Sequence, residues 1–361
     1  MDYYTVVGFT DIFKLECIEI YDLILMGFLS EIPVVTFKKP LFCAILGNTL
    51  LSTLPGVSGA GETPDNTLLT PILDAELIVN GAITSHKIKP NTPTGCPTPA
   101  SITRSMMELC NIQPLFINAG LRHTPTVPCL DVYGQIGEDP RFRDSVPQAQ
   151  SLFEQGKRIG TFLSGFSDLI VLGECVPGGT TTALCVLRAL GYAASVSSSF
   201  VDNPVSQKEE ICRMALARIK ADHITAPLDV LKYTGDPMMP VAAGISSTYT
   251  GHILLAGGTQ MLAVSAIIKG MGLPLPSVVT TSYVRDDPSA NVEQIARQIG
   301  VKIYYVDPGF EDIGHAGLAR YCIGEVKEGM GAGGAMCLSH LLGHSPEEIR
   351  AKILSTVSAY R

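Results

Sequence analysis

The sequence has few charged residues for its length and no segment rich in lysine or arginine. Of its 361 residues only 17% are charged, and the net charge is -8. Proteins bind nucleic acids and anionic membrane surfaces through clusters of basic side chains. The composition therefore predicts neither partner, and a bound phosphate would depend on local dipoles and a few local cations.

Long uncharged apolar segments are also absent. The segment Ile18–Val35 is apolar, but three acidic residues and Pro33 interrupt it, and Pro40–Leu54 is too short to span a bilayer. No basic region precedes an apolar core at the N-terminus. We therefore predict neither a membrane segment nor a signal peptide.

The ten cysteines are scattered along the chain without a single Cys-x-x-Cys pair, and their neighbours are mostly apolar. Structural zinc sites need closely spaced Cys or His ligands, so we predict no metal site. Scattered cysteines in a chain of this size are typical of reduced, largely buried thiols in a cytoplasmic protein.

What the sequence does contain is a recurring unit of an apolar β-type run, a Gly-bearing turn and a helix-like segment. The runs are Leu41–Leu46, Leu115–Ala119, Leu169–Leu172, His252–Ala256, Ser277–Thr281 and Lys302–Val306. Alternation of this kind predicts an α/β fold, Rossmann-like and doubly wound, with a mainly parallel sheet and a smaller helical subdomain. Ligands of such sheets bind beyond the carboxyl ends of the strands, where the Gly-rich turns fall.

No linker or internal repeat divides the chain, so we expect one catalytic unit over residues 1–361. Residues 1–110 form an N-terminal segment in which Pro55–Pro99 is dense in Pro, Gly and Thr. Long loops of this kind are typically binding loops or disordered linkers, and a short helix predicted at Asp74–Leu77 favours order. The α/β core is expected over about 111–340. A terminal helix is expected over 345–361, where Ser345 and Pro346 form an N-cap pattern.

The turn after Leu169–Leu172 is the most informative part of the chain. It contains Gly178, Gly179, Thr180 and Thr181. A helix opened by glycines and threonines presents free N–H groups and the positive end of its dipole, which suits a phosphate. No lysine follows the glycines and no acid marks a dinucleotide fingerprint, so a mononucleotide or phosphoribosyl group is favoured. The alternative is a tight strand-to-helix turn without a ligand.

We expect that a bulky side chain at Gly179 would fill the space that the phosphate needs. Lys208, at the start of a later helix, could supply the cation that the loop lacks. The alternative for Lys208 is a solvated surface lysine, which is the commoner role of this residue type.

Two further glycine-rich units could carry chemistry. Gly258, Thr259 and Gln260 open a second apolar helix, where the polar pair could bind a heterocycle or a carboxylate, or simply cap the helix. Glu328 directly precedes a run of small residues that starts with Gly329. Close backbone packing would desolvate its carboxylate and raise its pKa, which favours a general base near neutral pH. The alternative is a first-turn Glu that complements a helix dipole.

Taken together, these blocks resemble the nicotinate-nucleotide–dimethylbenzimidazole phosphoribosyltransferases of cobalamin biosynthesis. The resemblance is closer to an archaeal and cyanobacterial branch related to that enzyme, and it runs from about Pro55 to Met336. Gly173-Glu174 followed by Gly179-Thr180-Thr181 is similar to the family's phosphate loop, although the family has Asn where Gly179 stands. Glu328-Gly329-Met330-Gly331-Ala332 is similar to its Glu-Gly-Thr-Gly-Ala motif.

The resemblance implies roles for individual residues. Glu328 would be the catalytic base, Lys208 a phosphate contact and Glu174 a second carboxylate that orients the substrate. Gly329 and Gly331 would also lie in the substrate site. Ala256-Gly257-Gly258 stands where the family has Asp-Gly-Phe, so the nicotinate contacts differ.

The implied reaction moves ribose 5-phosphate from nicotinate mononucleotide to a nitrogen of an aromatic base such as 5,6-dimethylbenzimidazole. Its products are α-ribazole phosphate and nicotinate, and the resemblance implies a homodimer without metal or cofactor. Two alternatives remain. One is another nucleotide-processing enzyme on the same fold, and the other is a non-catalytic protein that binds a phosphorylated metabolite.

Overall fold

A computed structural model describes residues 27–61 and 63–360. The predictions made for the first 26 residues, including the start of the apolar segment at Ile18 and the absence of a signal peptide, lie outside the described residues. Within the described part, seven strands form one sheet in the order β3-β2-β1-β4-β5-β6-β7. They are β1 (Pro40–Gly47), β2 (Leu115–Gly120), β3 (Cys129–Asp131), β4 (Leu169–Cys175), β5 (His252–Ala256), β6 (Ser277–Thr281) and β7 (Ile303–Val306).

Helices follow most of these strands and cover the sheet. They are α1 (Pro64–Asn80), α2 (Pro99–Cys110), α3 (Ala149–Leu163), α4 (Gly179–Ala189), α5 (Val205–Ala221), α6 (Pro227–Thr234), α7 (Met238–Thr248), α8 (Thr259–Gly270), α9 (Ser282–Arg285), α10 (Val292–Ile299), α11 (Ala332–Leu341) and α12 (Pro346–Ser358). Short 3₁₀ helices lie at Leu50–Thr53 and Leu318–Tyr321.

The predicted α/β fold with a parallel sheet is confirmed. Each of the six apolar runs forms a strand, and every pairing between the seven strands is parallel. Sequence patterning missed β3, because three residues at the edge of a sheet, two of them exposed, carry no apolar periodicity.

The core lies on both faces of the sheet, as continuous apolar strands require. In β4, Ile170 and Leu172 pack into one apolar cluster with α4, α5 and α8, whereas Leu169 and Val171 pack into a second cluster with α1, α2 and α11. Successive side chains of a strand point to opposite faces, so four consecutive apolar residues serve both clusters.

The strand order reverses between β1 and β4, which are neighbours in the sheet but not in sequence. At such a switch point the connections leave the two strands toward opposite faces, and a crevice remains beyond their carboxyl ends. The loop that follows β4 contains Gly178 and Gly179, so the topology directs this glycine turn to the crevice.

The Pro/Gly/Thr-rich segment is more helical than predicted, because α1 covers Pro64–Asn80 rather than Asp74–Leu77 alone. The Thr63 hydroxyl accepts a hydrogen bond from a first-turn amide, and Pro64 occupies the first helical position. Pro71 lies in the helix interior, which is locally unfavourable. Residues 71–78 are all buried, so packing outweighs this local cost.

The C-terminal helix α12 begins at the N-cap predicted at Ser345 and Pro346, and Ser345 and Glu348 additionally form a capping box in which each side chain accepts from the other residue's amide. The nine cysteines in the described part are free and six of them are buried. Among the helices of residues 27–61 and 63–360, none is long and apolar enough to cross a membrane.

Candidate active site

A cavity of about 650 Å³ opens beyond the carboxyl ends of β4 and β5. Its walls come from the β4–α4 and β5–α8 loops, the segment before α11, the face of α1 and parts of the Pro/Gly/Thr-rich loops. Gly178 and Gly258 both line it, so the Gly-rich turns lie beyond the carboxyl ends of the strands, as predicted. The volume is in the range of small-molecule sites.

Nine of the twelve predicted site residues line this cavity. They are Glu174, Gly178, Gly179, Thr180, Gly258, Thr259, Gln260, Glu328 and Gly329. Thr181, Lys208 and Gly331 do not line it, and the structure gives each of these three a different setting.

The N-terminus of α4 faces the cavity without a capping side chain. Gly178 precedes the helix with a φ of +77°, and a Cβ atom there would lie 3.0 Å from the Ser52 side chain. Only glycine combines this left-handed conformation with so close an approach. The Gly179 amide donates to the Val176 carbonyl and the Thr181 amide to the Gly178 carbonyl, each at 3.0 Å. Among the described residues no group accepts from the Gly178 or Thr180 amide, so these two are open to a ligand, and the helix dipole favours an anion there.

Gly179 is required for a different reason from the one predicted. A Cβ atom on Gly179 would overlap the amide nitrogen of Gln260 rather than enter empty space. The β4–α4 and β5–α8 loops therefore touch at this point. Any side chain at Gly179 would displace Gln260 before it could meet a ligand.

Glu174 and Gln260 form the polar wall between the two glycine loops. Gln260 Nε2 donates to Glu174 Oε2 at 2.7 Å, and the Val176 amide donates to the same oxygen at 3.2 Å. Burial raises the pKa of Glu174 to about 8, with a further contribution from the nearby carboxyl groups of Asp236 and Glu328. Glu174 is therefore mostly protonated at neutral pH and can offer a proton for hydrogen bonding.

Glu328 lies at the N-terminus of α11 with part of its surface in the cavity. The Gly329 amide donates to its Oε1 at 3.1 Å, and the Gly333 amide lies 3.3 Å from both oxygens. Burial nevertheless outweighs these bonds and raises the pKa of Glu328 to about 7. The carboxylate therefore complements the helix end and also has a pKa near neutrality.

Lys208 lies behind the cavity wall instead of beside the phosphate loop. Its side chain is buried, and Nζ donates to the Ser197 carbonyl at 2.7 Å. Burial lowers the pKa of Lys208 to about 7. The expected direct cation at the glycine loop is therefore not supplied by Lys208 in this structure, since its ammonium group is engaged by the backbone of a wall segment.

Lys327, which sequence reasoning did not single out, is the buried lysine that reaches the cavity. Its Nζ donates to the Ser198 carbonyl at 2.8 Å and lies 3.3 Å from Asp287 Oδ2. Burial lowers its pKa below the ordinary value. Lys208 and Lys327 thus hold successive carbonyls of the segment Ser197–Ser199, which lines the cavity. Only its position next to Glu328 could have indicated Lys327.

Thr181 and Gly331 support the site from behind. Thr181 is fully buried in the first turn of α4, and its hydroxyl has no partner among the described residues. Gly331 precedes α11 with a φ of +69°, and a Cβ atom there would lie 3.0 Å from the Gly173 Cα. This close contact brings the segment of Glu328 against the end of β4.

Asp74 is a third acidic residue on the cavity wall. The sequence predicted only a short helix at this position. Asp74 accepts a hydrogen bond from Thr98 Oγ1 at 3.0 Å, and burial raises its pKa to about 7. No group of three or more His, Cys, Asp or Glu residues in the described part is arranged to hold a metal ion.

No family model matches the chain. Similar proteins include the UPF0284 protein of Methanosarcina mazei, which is 42% identical over 329 residues that cover 88% of this chain and 93% of the relative. The UPF0284 protein of Thermococcus gammatolerans is 41% identical over 321 residues, covering 87% and 96%. The chain belongs to the UPF0284 family.

Two solved structures share the fold of this UPF0284 protein. One is the nicotinate-nucleotide-dimethylbenzimidazole phosphoribosyltransferase of Thermus thermophilus, with a TM-score of 0.55 and 13% identity, covering 89% of this chain and 83% of the neighbour. The other is CobT from the same organism, with a TM-score of 0.55 and 14% identity, covering 89% and 84%. At this identity the likeness shows the fold, and the fold that the sequence resemblance implied is confirmed.

Proposed function

We propose that the protein transfers ribose 5-phosphate from nicotinate mononucleotide to a ring nitrogen of an aromatic base such as 5,6-dimethylbenzimidazole. The products are an α-linked nucleotide phosphate (α-ribazole phosphate for that base) and nicotinate. The observation that carries the proposal is a carboxyl group with a pKa of about 7, Glu328, in the same cavity as the uncapped N-terminus of α4.

In this proposal the phosphate binds at the amides of Gly178 and Thr180, where the helix dipole compensates its charge. The hydroxyl groups of the Ser197–Ser199 segment complete the phosphate site. Lys208 and Lys327 act from behind by holding the carbonyls of that segment, and so contribute position and a screened positive potential rather than a direct ion pair.

Glu328 removes the proton of the attacking base. One ring nitrogen of the base loses its proton to the Glu328 carboxylate while the other forms a bond to C1′ of the ribose. The bond between C1′ and the nicotinate nitrogen breaks, and its electron pair returns to the pyridine ring. Nicotinate therefore leaves without a general acid, and one general base is sufficient.

The fold shared with the Thermus thermophilus phosphoribosyltransferase supports this function, as does the position of Glu328 at the end of a glycine-bounded helix. Glu174, protonated at neutral pH, and Gln260 are proposed to bind the substrate at the polar wall, where they replace part of the family's Asp-Gly-Phe contacts.

The experiment is to incubate the full-length protein with nicotinate mononucleotide and a panel of benzimidazoles, and to identify the products by mass. We expect nicotinate and the base nucleotide to form in equal amounts, and only when the base is present. Ribose 5-phosphate released without a base would instead favour a nucleotide hydrolase. Tight binding of the mononucleotide without any product would favour a non-catalytic binding protein.

A further inference from the structure

One face of α1 presents a polar row to the cavity. Asn66, Thr70 and Asp74 all line it, and their spacing of four residues places them along a single side of the helix. A helix that only closed a site for an apolar ligand would present apolar side chains here. The row therefore offers hydrogen-bonding groups to a polar ligand in the cavity.

Asp74 is the deepest member of this row, with only 7% of its surface exposed. Thr98 Oγ1 donates to Oδ1 at 3.0 Å, whereas Oδ2 has only the Cys175 thiol at 3.8 Å. A thiol is a weak donor. No lysine or arginine of the described residues forms an ion pair with Asp74. A buried carboxyl group with unused acceptor capacity is costly unless a partner supplies a donor.

The cavity that Asp74 lines also has apolar walls. Leu73, Ile83, Ile88 and Val326 line the same cavity and provide flat contact surface of the kind that covers the faces of an aromatic ring. An aromatic base with apolar faces and a hydrogen-bond donor at one edge matches this combination. A base whose edge carries only methyl groups would leave the carboxyl group without a partner.

We propose that Asp74 is a specificity residue that accepts a hydrogen bond from an N–H or amino group on the edge of the accepting base remote from the attacking nitrogen. The proposal rests on the proposed function, because it takes the accepting base as the ligand of this part of the cavity. The preferred substrates are then amino-substituted heteroaromatic bases rather than bases with only alkyl substituents.

The test compares benzimidazole with 4-aminobenzimidazole and 5-aminobenzimidazole in the full-length protein. The variants are Asp74→Asn, Asp74→Leu and, as a matched control, Asp65→Asn, which changes an exposed acid on the same helix. We expect the wild type to favour at least one amino-substituted base over benzimidazole by about 10- to 100-fold in kcat/KM, the range for one buried hydrogen bond to a carboxylate.

Asp74→Asn keeps a carbonyl acceptor and should retain part of this preference. Asp74→Leu should abolish the preference, so that kcat/KM for the aminobenzimidazole falls to about that for benzimidazole. Asp65→Asn should leave the ratio of the two values unchanged. A merely structural role for Asp74 would lower both rates together and leave their ratio unchanged. An unchanged ratio in Asp74→Asn and Asp74→Leu, or a wild type without any preference, would overturn the proposal.

If the proposed function itself is wrong, no base will cause nicotinate release. In that case the role of Asp74 is tested by calorimetric titration of the protein with the same bases. Tighter binding of an aminobenzimidazole to the wild type, lost in Asp74→Leu, would support Asp74 as a specificity residue. Equal binding of all bases would refute it. If Asp74→Leu does not fold, Asp74→Asn is compared with Asp65→Asn instead. A smaller preference for the aminobenzimidazole in Asp74→Asn than in Asp65→Asn would support the proposal, and an equal preference would refute it.

Discussion

The substitution Glu328→Gln separates a catalytic carboxylate from a helix-end carboxylate. Gln keeps the size of the side chain and one oxygen acceptor, so the hydrogen bonds from the Gly329 and Gly333 amides can persist. The change removes only the ability to ionise and to take a proton. We therefore expect the fold and the affinity for nicotinate mononucleotide to be retained.

The magnitudes follow from the site. Loss of a positioned general base costs about 10²–10⁴-fold in rate, so turnover with a benzimidazole should fall by that factor. Whereas turnover falls, the free energy of unfolding of Glu328→Gln should exceed that of the wild type at alkaline pH. The pKa of Glu328 rises from 4.5 to about 7 on burial, so stability from the protonated carboxyl is fully present below pH 4.5 and is lost as the pH rises through about 7.

At pH 8 the ionised carboxylate therefore costs at most about 3 kcal/mol, less to the extent that cavity water screens it. The neutral amide removes this cost. We expect Glu328→Gln to be as stable as the wild type at about pH 4 and more stable at about pH 8, measured by thermal unfolding at both values.

The assay is steady-state turnover of nicotinate mononucleotide with benzimidazole and with 1-methylbenzimidazole, which has no N–H to lose. The defect of Glu328→Gln should be large with the first base and small with the second. In the wild type, kcat/KM for benzimidazole should rise with pH up to about 7 and then level off, as the carboxyl ionises. The variant should lack this rise.

Glu293→Gln is the matched control, because Glu293 is an exposed acid on α10 outside the cavity. It should leave both turnover and the pH profile unchanged. Near-normal turnover of Glu328→Gln with benzimidazole would show that the acid only complements the helix end, and the proposed mechanism would then be wrong. An equal loss with both bases would also contradict proton removal by Glu328.

Three further predictions concern the contacts that position the cavity walls and the helix α11. Gly179→Ala should displace the Gln260 amide and raise the KM for nicotinate mononucleotide by about tenfold through the lost hydrogen bonding; an unchanged KM would show that the loop contact is unimportant. Lys327→Met leaves Asp287 buried without its cation and should destabilise the fold by about 3–5 kcal/mol in urea unfolding. The double variant Lys327→Met with Asp287→Asn should recover part of this loss. If the losses of the two single variants simply add in the double variant, the ion pair between Lys327 and Asp287 does not stabilise the fold. Gly334→Ala would overlap side chains of β4 and β5 and should cost about 1–3 kcal/mol, measured by thermal unfolding; a neutral effect would mean that α11 packs less closely than described.

Much of the framework could be predicted from the chain because it depends on local and periodic features. Four consecutive apolar residues at Leu169–Leu172 predict a doubly covered strand whatever its neighbours are. Ser345 and Pro346 predict the start of α12 because capping is complete within four residues. Parallel strands also bring their carboxyl ends to one edge, so the turns at Gly178 and Gly258 were expected to share a cleft.

The side chains that the site uses were decided by packing between distant segments. Gly179 and Gln260 are far apart in the chain, and only the fold shows that a Cβ atom on one would overlap the other. Lys208 and Lys327 are equally basic in the sequence. Burial and the carbonyl groups that each meets determine that Lys327 lines the cavity while Lys208 supports the wall from behind.

Asp74 shows most clearly the difference between what the sequence predicts and what the tertiary structure decides. The sequence marks it only as the first residue of a short predicted helix. The helix α1 extends well beyond the predicted Asp74–Leu77, because tertiary burial outweighs the cost of Pro71. Local patterns determined which segments become strands, caps and glycine turns. Contacts across the sheet and its loops determined which carboxyl groups are desolvated, because burial and electrostatic neighbours are properties of the assembled structure rather than of any stretch of sequence.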